Sequence, residues 1–383
     1  MRFVRARTRV LVLLAATIVG SALAGPARAG SVEGAEGPSA GTSLGDAAPA
    51  RTARVAAKRT RVQRTVVLPR LDAVALREED SRQTTGHAWK RWFRVGVVRD
   101  VGPLRVPPVP SRWRDAETLA DGSRVWSAVV EAPGATGLRV RFRRCDLPKG
   151  ADLVVADADE PSEAYGPLRA PADGRELLAP TVLGERVLVS LRIPAESLDD
   201  RVQLVIDGVT HRYRALDETM DQGPSPGPQP RASGSLSCMN SIACDAAWAA
   251  DVGRAVGRFE FTEQGSVFLC TGTLLNDSDG ASQVPYFLTA NHCVRTDRVA
   301  KTVEVWWDYR PKTCNGTVPF LGEVPRTLGA TLLATSEYAD VSLLRLTGTL
   351  PSGRYFAGWT TTLPAIREPV VGVHHPQGTH MRI

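Results

Sequence analysis

Apolar and polar residues alternate in short runs between Thr65 and Ala215, which is the pattern of β-strands. In LRVRFRRC the two faces differ completely, with Leu138, Val140 and Phe142 on one and Arg139, Arg141 and Arg143 on the other. The other strand candidates are RVWSAVVEAP around Trp126, Leu153–Asp157, Val187–Ile193 and Val202–Asp207. Turn formers such as PGATG and LPKGAD separate these runs, and helical periodicity is almost absent. The pattern predicts a jelly-roll-like β-sandwich over residues 65–216.

The pattern changes in residues 234–383, where apolar runs are separated by Gly-rich turns. The runs predicted as strands are VGRFEF, SVFLCTGTLL, VPYFLTA, TVEVWWDY and ADVSLLRL. One short helical stretch is predicted near Ile242–Asp251. Successive strands of this kind are typical of a small antiparallel barrel, so the whole chain is predicted to be all-β.

Two segments have the composition of linkers. DQGPSPGPQPRASGS, residues 221–235, is rich in Pro and Gly, and we place an exposed linker at residues 217–233. Residues 30–64 are predicted to be disordered or extended. They include Arg51–Arg64, with six basic and no acidic residues. No aromatic residue interleaves with these charges, so a solvated linker is favoured over a nucleic-acid surface, despite a net charge of +6.

The first 29 residues have the pattern of a cleavable signal peptide. MRFVRARTR is a basic n-region, Val10 to Ala24 is apolar, and Ala27-Arg28-Ala29 is a small-x-small cleavage pattern. We therefore expect a secreted, extracellular protein with no membrane association after cleavage. An oxidising compartment makes the six cysteines candidates for disulfides, and their spacing alone leaves fifteen complete pairings open.

The stretch FLTANHCV places His292 directly before Cys293, after an apolar run. Three interpretations are open: a metal-ligand pair, a core histidine beside a structural cysteine, or a catalytic base next to a disulfide. Peptide hydrolysis needs a nucleophile, a base and a carboxylate that orients the base. Asp340 opens the later strand ADVSLLRL, so it is the candidate carboxylate. His292 and Asp340 together favour the catalytic interpretation.

The ordered motifs CTGTLLND, YFLTANHC and ADVSLLRL resemble the core of chymotrypsin-fold, trypsin-like serine peptidases. The similarity is closest to the secreted lysyl endopeptidase-like group, because GSLSCMNSIAC, VEVWWDYRPKTC, FAGWTTTLP and VVGVHHPQGTHMRI also match. The resemblance implies a double β-barrel whose active site lies between the barrels. It implies that His292 is the general base and Asp340 its orienting partner, with no cofactor and no metal ion.

The resemblance also implies the covalent organisation of the chain. It pairs Cys270 with Cys293 and Cys244 with Cys314, and it gives Cys238 a partner further downstream. Residues 65–216 and the linker would form a pro-region that packs on the protease domain and is removed near Arg231. The substrates would be proteins or peptides.

The chain departs from this family at the nucleophile. After Asp340 the only serines are Ser342 and Ser352, and neither stands in a G-x-S-G sequence. We therefore expect residues 234–383 to be a C-terminally incomplete peptidase domain, with the serine and the oxyanion glycines beyond Ile383. The 383 residues alone should then not hydrolyse peptides. The histidines of VVGVHHPQGTHMRI, which are His374, His375 and His380, are predicted to have a structural or cleft role in preference to zinc binding.

Two alternative functions remain open. The chain could be an exported, non-catalytic protease-like binding protein. Alternatively, the sandwich could bind carbohydrate or protein through its aromatic residues, which include Trp89, Trp92, Trp113 and Trp126.

Overall fold

The computed structural model describes residues 31–32, 34–36, 61–82, 93–106, 115–159, 164–169, 171, 176–215, 239–279 and 282–383. Within these ranges no helix is long and apolar enough to cross a membrane. Several predicted features lie outside them: the signal peptide 1–29, the linker 217–233, Trp89, Trp92, Trp113, Arg231 and Cys238.

The described residues are mostly strands. In chain order these are β1 Ser31–Val32, β2 Ala35–Glu36, β3 Arg64–Val67, β4 Phe93–Val106, β5 Glu117–Thr118, β6 Arg124–Glu131, β7 Gly137–Asp146, β8 Asp152–Asp157, β9 Ala164–Leu168, β10 Leu177–Leu178, β11 Val182–Leu183, β12 Arg186–Ile193, β13 Gln203–Arg212, β14 Val256–Glu263, β15 Ser266–Leu275, β16 Tyr286–Thr289, β17 Glu304–Trp306, β18 Arg326–Leu328, β19 Ala330–Ser336, β20 Val341–Leu346, β21 Tyr355–Phe356 and β22 Trp359–Thr360. The α-helices are α1 Ala73–Arg82, α2 Ala246–Ala250 and α3 Asp297–Ala300. Short 3₁₀ turns occur at Ala195–Ser197, Ile242–Cys244, Val252–Arg254, Leu321–Glu323 and Pro376–Gly378.

The chain divides into two compact units. The sandwich unit comprises the described residues between 47 and 227, together with 262–268. The barrel unit comprises the described residues between 1 and 46, 228–261 and 269–383.

Two sheets form the sandwich unit and share one core. The first has the order β3-β6-β12-β8-β9, and the second includes the order β10-β7-β13-β4. Trp126 and Val189 of the first sheet are buried in the same apolar cluster as Val140 of the second. The alternation seen in the sequence explains this packing, because every second residue of a strand faces the same side. The predicted all-β sandwich is confirmed.

Helix α1 is an element that the sequence pattern of residues 65–216 does not predict. Its sequence, AVALREEDSR, consists largely of strong helix formers, but none of its residues is buried. It therefore lacks the apolar stripe that reveals a helix in a sequence. Polar contacts fix it instead, because Asp72 accepts a hydrogen bond from the Ala75 amide at 2.9 Å. Asp80 accepts one from Tyr213 Oη at 2.7 Å and another from Arg94 Nε at 2.7 Å.

The barrel unit contains a curled sheet whose two end strands are consecutive in the chain. The strand order is β18-β17-β14-β15-β16-β20-β19. Only Gly329 separates β18 from β19, so one bent stretch of chain supplies both ends of the sheet. Gly329 has φ +73°, a conformation that favours glycine. In the sheet's core the ring of Phe287 lies edge-on to Phe259, with centroids 5.7 Å apart, and to Trp307 at 5.9 Å. The all-β class predicted for this segment is confirmed.

The sequence reading missed β18 and β19. Their sequence, RTLGATLLATS, has a weak alternation because β19 is mostly half-buried or exposed along its length. Its place is set by pairing with β20, which is a tertiary contact. The short helical stretch predicted near Ile242–Asp251 is present as α2 between two 3₁₀ turns.

Strands β1 and β2 lie in the segment that was predicted to be disordered or extended. They pair antiparallel with β22 and β21, more than 300 residues further along the chain. Such a distant partner leaves no trace in the local sequence pattern.

Candidate active site

His292 lies in a tight turn three residues after the end of β16. The amides of Cys293 and Val294 both donate to the carbonyl of Ala290, at 3.1 and 3.2 Å. The apolar strand ends at Thr289 because this turn begins there. The histidine is therefore presented from a turn at the end of the barrel sheet, slightly beyond the strand end that was predicted for it.

Asp340 is the residue directly before β20. It closes the turn from β19, and its amide donates to the carbonyl of Glu337 at 3.3 Å. Its φ is +49°, in the left-handed region that aspartate and asparagine enter more readily than other non-glycine residues. The turn brings Asp340 next to His292 because β16 and β20 are neighbours, with Thr289 opposite Ser342.

The Asp340 carboxylate contacts His292 at two points. Its Oδ2 lies 2.7 Å from His292 Nδ1, and its Oδ1 accepts a hydrogen bond from the His292 backbone amide at 2.9 Å. The side chains are 25% and 31% exposed, so the pair is accessible from solvent. A carboxylate can only accept, so Nδ1 carries the proton and Nε2 is left as the basic nitrogen.

A chain of polar side chains lies beneath the histidine turn. Asn291 Nδ2 donates to Thr335 Oγ1 at 2.7 Å, and Thr335 Oγ1 lies 2.7 Å from Ser342 Oγ. Ser342 Oγ in turn donates to the carbonyl of Val294 at 2.6 Å. These contacts join the turn that carries His292 to β19 and β20. The sequence reading missed this role of Asn291 and Thr335, although a serine at a buried strand position was a signal.

Two disulfides are present, Cys270–Cys293 and Cys244–Cys314, and both are pairs that the resemblance implies. The first joins β15 to the residue after His292. Sulfur and nitrogen atoms of Cys270, His292 and Cys293 lie within 4.8 Å of one another, which is a spacing compatible with metal ligands. Both sulfurs are bonded in the disulfide, so this cluster offers no thiolate, and the metal-ligand interpretation loses its strongest donors.

Neither serine after Asp340 is placed as a nucleophile. Ser342 is fully buried, and its hydroxyl is engaged with Val294 and Thr335. Ser352 is exposed in a turn. Among the described residues neither makes a recorded hydrogen bond to His292.

His374, His375 and His380 are not arranged as a ligand set in the described residues. His375 is buried, and its Nδ1 lies 2.9 Å from the Thr379 carbonyl. Its ring stacks on that of Tyr309, with centroids 6.3 Å apart. Burial is the main cause that lowers the pKa of His375 to about 3, so the ring is neutral at neutral pH. His374 pairs through its backbone with Arg382.

Comparison with known proteins gives matches in both units. The family model "Lysyl endopeptidase, C-terminal domain" matches residues 232–383, and "Lysyl endopeptidase N-terminal domain" matches residues 67–213. These matches support membership of the lysyl endopeptidase family. A curated lysyl endopeptidase from Pseudomonas aeruginosa is 26% identical over 303 residues, which cover 75% of this chain. The match spans 62% of the length of that relative.

The two matched ranges, 67–213 and 232–383, correspond to the two segments that differ in their strand pattern. The N-terminal model covers the sandwich, and the C-terminal model covers the barrel sheet, His292 and Asp340. Both units of the chain therefore match domains of one family. The second match also places the two candidate residues inside the C-terminal domain of the family.

Proposed function

We propose that this chain is the precursor of a secreted serine endopeptidase of the lysyl endopeptidase family. His292 would be the general base, Asp340 its orienting carboxylate, and the nucleophilic serine would lie beyond Ile383. The observation that carries the proposal is the two-point contact of Asp340 with the ring and the backbone amide of His292. That contact fixes both the tautomer and the direction of the ring, as a base in acyl transfer requires.

The proposed reaction is acyl transfer to a serine. His292 Nε2 accepts the serine proton while the serine oxygen attacks the peptide carbonyl, and Asp340 stabilises the imidazolium that forms. His292 then gives the proton to the leaving amine, and the acyl-enzyme is hydrolysed by water. A base displaced by about 1 Å loses much of its rate advantage, on the order of 100-fold. The disulfide to Cys293 and the bonds of Asn291 and Ser342 support this position.

The substrate and the processing are further parts of the proposal. The name of the Pseudomonas relative suggests cleavage of lysyl bonds in proteins or peptides. Residues 1–29 would direct export, and the sandwich unit would be a pro-region, with processing near Arg231. The pro-region would pack on the protease domain until it is removed.

The gene sequence after codon 383 is the first test of the proposal. We expect an open frame that encodes a G-x-S-G sequence and a further cysteine. The protein made from that longer frame should then be labelled at the serine by an active-site phosphonate carrying a lysine side chain. A full-length protein that resists the reagent at neutral pH, while folded and with both disulfides formed, would contradict the enzyme.

The alternative is an exported, non-catalytic protease-like binding protein. It is favoured by the placement of Ser342 and Ser352, neither of which makes a recorded contact with His292 among the described residues. A stop codon directly after Ile383 would support it.

A further inference from the structure

The first described residues of the chain form an antiparallel ladder with the segment 355–360. Ser31 pairs with Thr360 and Val32 with Trp359, while Ala35 pairs with Phe356 and Glu36 with Tyr355. In an antiparallel pair the residue numbers of opposite residues add up to a constant, and all four pairs here give the same sum. Both short ladders therefore share one register. Residues 31–32 and 35–36 thus pair with residues 355–360 in the register of a single strand. These residues together with Gly34 are here called the docking strand, and residues 355–360 the receiving strand.

The receiving strand is held to the barrel on its other side. Ala357 forms two backbone hydrogen bonds with β15 and the residue that follows it. Its amide donates to the carbonyl of Leu274 at 2.9 Å, and its carbonyl accepts from the amide of Asn276 at 2.9 Å. Trp359 Nε1 donates to the carbonyl of Asn276 at 2.9 Å. Ala357 and Phe356 are buried. The receiving strand is therefore a fixed platform that presents one edge to the docking strand.

One residue of the docking strand, Gly34, lies against the side chain of Tyr355 in the receiving strand. A Cβ atom on Gly34 would lie 2.1 Å from Tyr355 Oη and 2.7 Å from Tyr355 Cζ. The ring of Tyr355 thus lies directly against the backbone of Gly34, in a place where only glycine fits without displacing the ring. The pairing has a side-chain requirement in addition to its backbone ladder.

The docking strand lies near the N-terminus and is connected in sequence to the sandwich unit. It begins two residues after the predicted signal cleavage at Ala29, and 24 residues, 37–60, connect it to the described part of the sandwich unit. The sandwich unit is joined to the rest of the barrel unit through the linker 217–233. Residues 47–227 of the sandwich unit are therefore joined to segments of the barrel unit at two places, and only one of them is the linker; the remaining residues of that unit, 262–268, are continuous with barrel segments on both sides.

We propose that the docking strand keeps the pro-region attached to the barrel unit after the linker has been cut. The proposal uses the processing step proposed above, but the binding itself needs no catalysis. A short strand binds weakly by itself. When it is linked by a short tether to a segment that binds the same partner, its own binding becomes intramolecular, at an effective concentration near the millimolar range. The 24 residues 37–60 can span roughly 80 Å at most, which is the upper bound on their length as a tether.

The first experiment asks whether the ladder survives cutting. A recognition site for an added sequence-specific protease is introduced within residues 221–230 of the exported chain, and the linker is cut with that protease. In S31C/T360C the new cysteines are directly opposite, with Cα atoms about 4.5–5.5 Å apart, within disulfide range. Mild oxidation should join the two fragments on a non-reducing gel. S31C/T361C, whose second residue faces the other side of the strand, should join them at least tenfold less.

The second experiment removes the ladder. In a strand with one neighbour, only every second residue directs its amide to that neighbour. Residues 32 and 35 belong to the two alternating sets, so the double variant V32P/A35P removes one hydrogen bond of the ladder whichever set faces the receiving strand. Hydrogen exchange of amides 355–360 in the cut protein should become at least tenfold faster. G34V adds a residue of high strand propensity but displaces Tyr355, so it should act in the same direction. G372V is the matched control, because a Cβ there meets nothing within 4 Å.

The outcomes separate this proposal from the proposed activity. Equal joining in the two cysteine pairs, or unchanged exchange of residues 355–360 in V32P/A35P, would overturn the docking strand. Neither readout involves His292, so a catalytically inactive protein could still show the tethered complex. A catalytically active protein could equally lack the tethered complex.

Discussion

Asp340 uses both of its carboxylate oxygens on the same residue, one on the ring and one on the backbone amide of His292. Either bond alone would leave the carboxylate free to rotate about its last torsion. Together they set the plane of the carboxylate and, through it, the direction of the imidazole. The positive φ of Asp340 belongs to the same arrangement, because the turn that imposes it points the side chain at His292.

The substitution D340N tests this arrangement in the longer enzyme proposed above. An amide has one acceptor and one donor end, so it cannot accept from both His292 nitrogens, and the ring is expected to take the wrong tautomer. We expect kcat to fall on the order of 10⁴-fold, measured with a lysyl peptide substrate at neutral pH. D251N, at a carboxylate 57% exposed in the barrel unit, is the control and should be silent. A loss below about tenfold in D340N would contradict the triad role.

Ser342 and Ser352 are a matched pair for stability. S342A leaves the buried Val294 carbonyl without its donor, and we expect a loss of about 1–3 kcal/mol in the free energy of unfolding. S352A removes an exposed hydroxyl and should change that free energy by less than about 0.5 kcal/mol. Urea unfolding of both variants measures the difference. Equal stability of the two would show that the polar chain under His292 does not support the turn.

At the scale of elements, the two disulfides should have separable effects. Cys270–Cys293 closes 23 residues and Cys244–Cys314 closes 70, so chain entropy predicts losses of about 3 and about 4 kcal/mol when each is replaced by serines. Only the first is next to His292. C270S/C293S should therefore lower kcat of the full-length enzyme more than C244S/C314S, despite the smaller loss of stability. Denaturant unfolding and kinetics on the same samples check this, and the reverse order in kcat would contradict it.

The elements that could be predicted are those whose apolar residues recur within one local run of the sequence. Strand β7 was recognisable because Leu138, Val140 and Phe142 are fully buried, and β16 and β20 were recognisable for the same reason. Helix α1 and the pair β18–β19 were not, because tertiary contacts hold them without an apolar stripe. Asp80 of α1, for example, reaches Tyr213 across more than 130 residues. A local window contains no information on such partners.

The candidate site likewise contains residues that a local motif reveals and residues that only a tertiary contact explains. His292 and Asp340 could be chosen from the sequence because their motifs are local and occur in a recognisable order, and the structure brings them to 2.7 Å. Asn291 and Thr335 were missed because their meaning depends on β16, β20 and β19 being neighbours. A polar residue on a buried strand face becomes informative only when its partner strand is known.

At the scale of the whole molecule, each unit contains a buried histidine that should make the protein sensitive to acid. Burial, with Arg99 nearby, lowers the pKa of His211 in the sandwich unit to about 4, and burial lowers that of His375 in the barrel unit to about 3. The unfolded chain takes up these protons near pH 6.5, whereas the folded chain does so only at lower pH. Folding stability is therefore complete above about pH 6.5 and falls as the pH drops toward 4 and then 3.

The expected slope is about 1.4 kcal/mol per pH unit for each histidine in that window. Chemical unfolding at intervals between about pH 7 and pH 5, above the range in which carboxylates titrate, measures it. H211Q should flatten the slope of the sandwich unit, and H375Q that of the barrel unit. A slope unchanged in both variants would assign the acid sensitivity to other groups.

Gly329 has a further consequence for the edges of the barrel sheet. A β-sheet with free ends offers rows of unpaired amides and carbonyls on which other chains can polymerise. β18 and β19 are the end strands of the barrel sheet, and Gly329 joins them in one bent stretch of chain. A Cβ at this residue would also meet Thr347 Oγ1 at 2.8 Å. A larger residue at position 329 would therefore disturb both end strands at once, and with them the two edges at which another chain could pair.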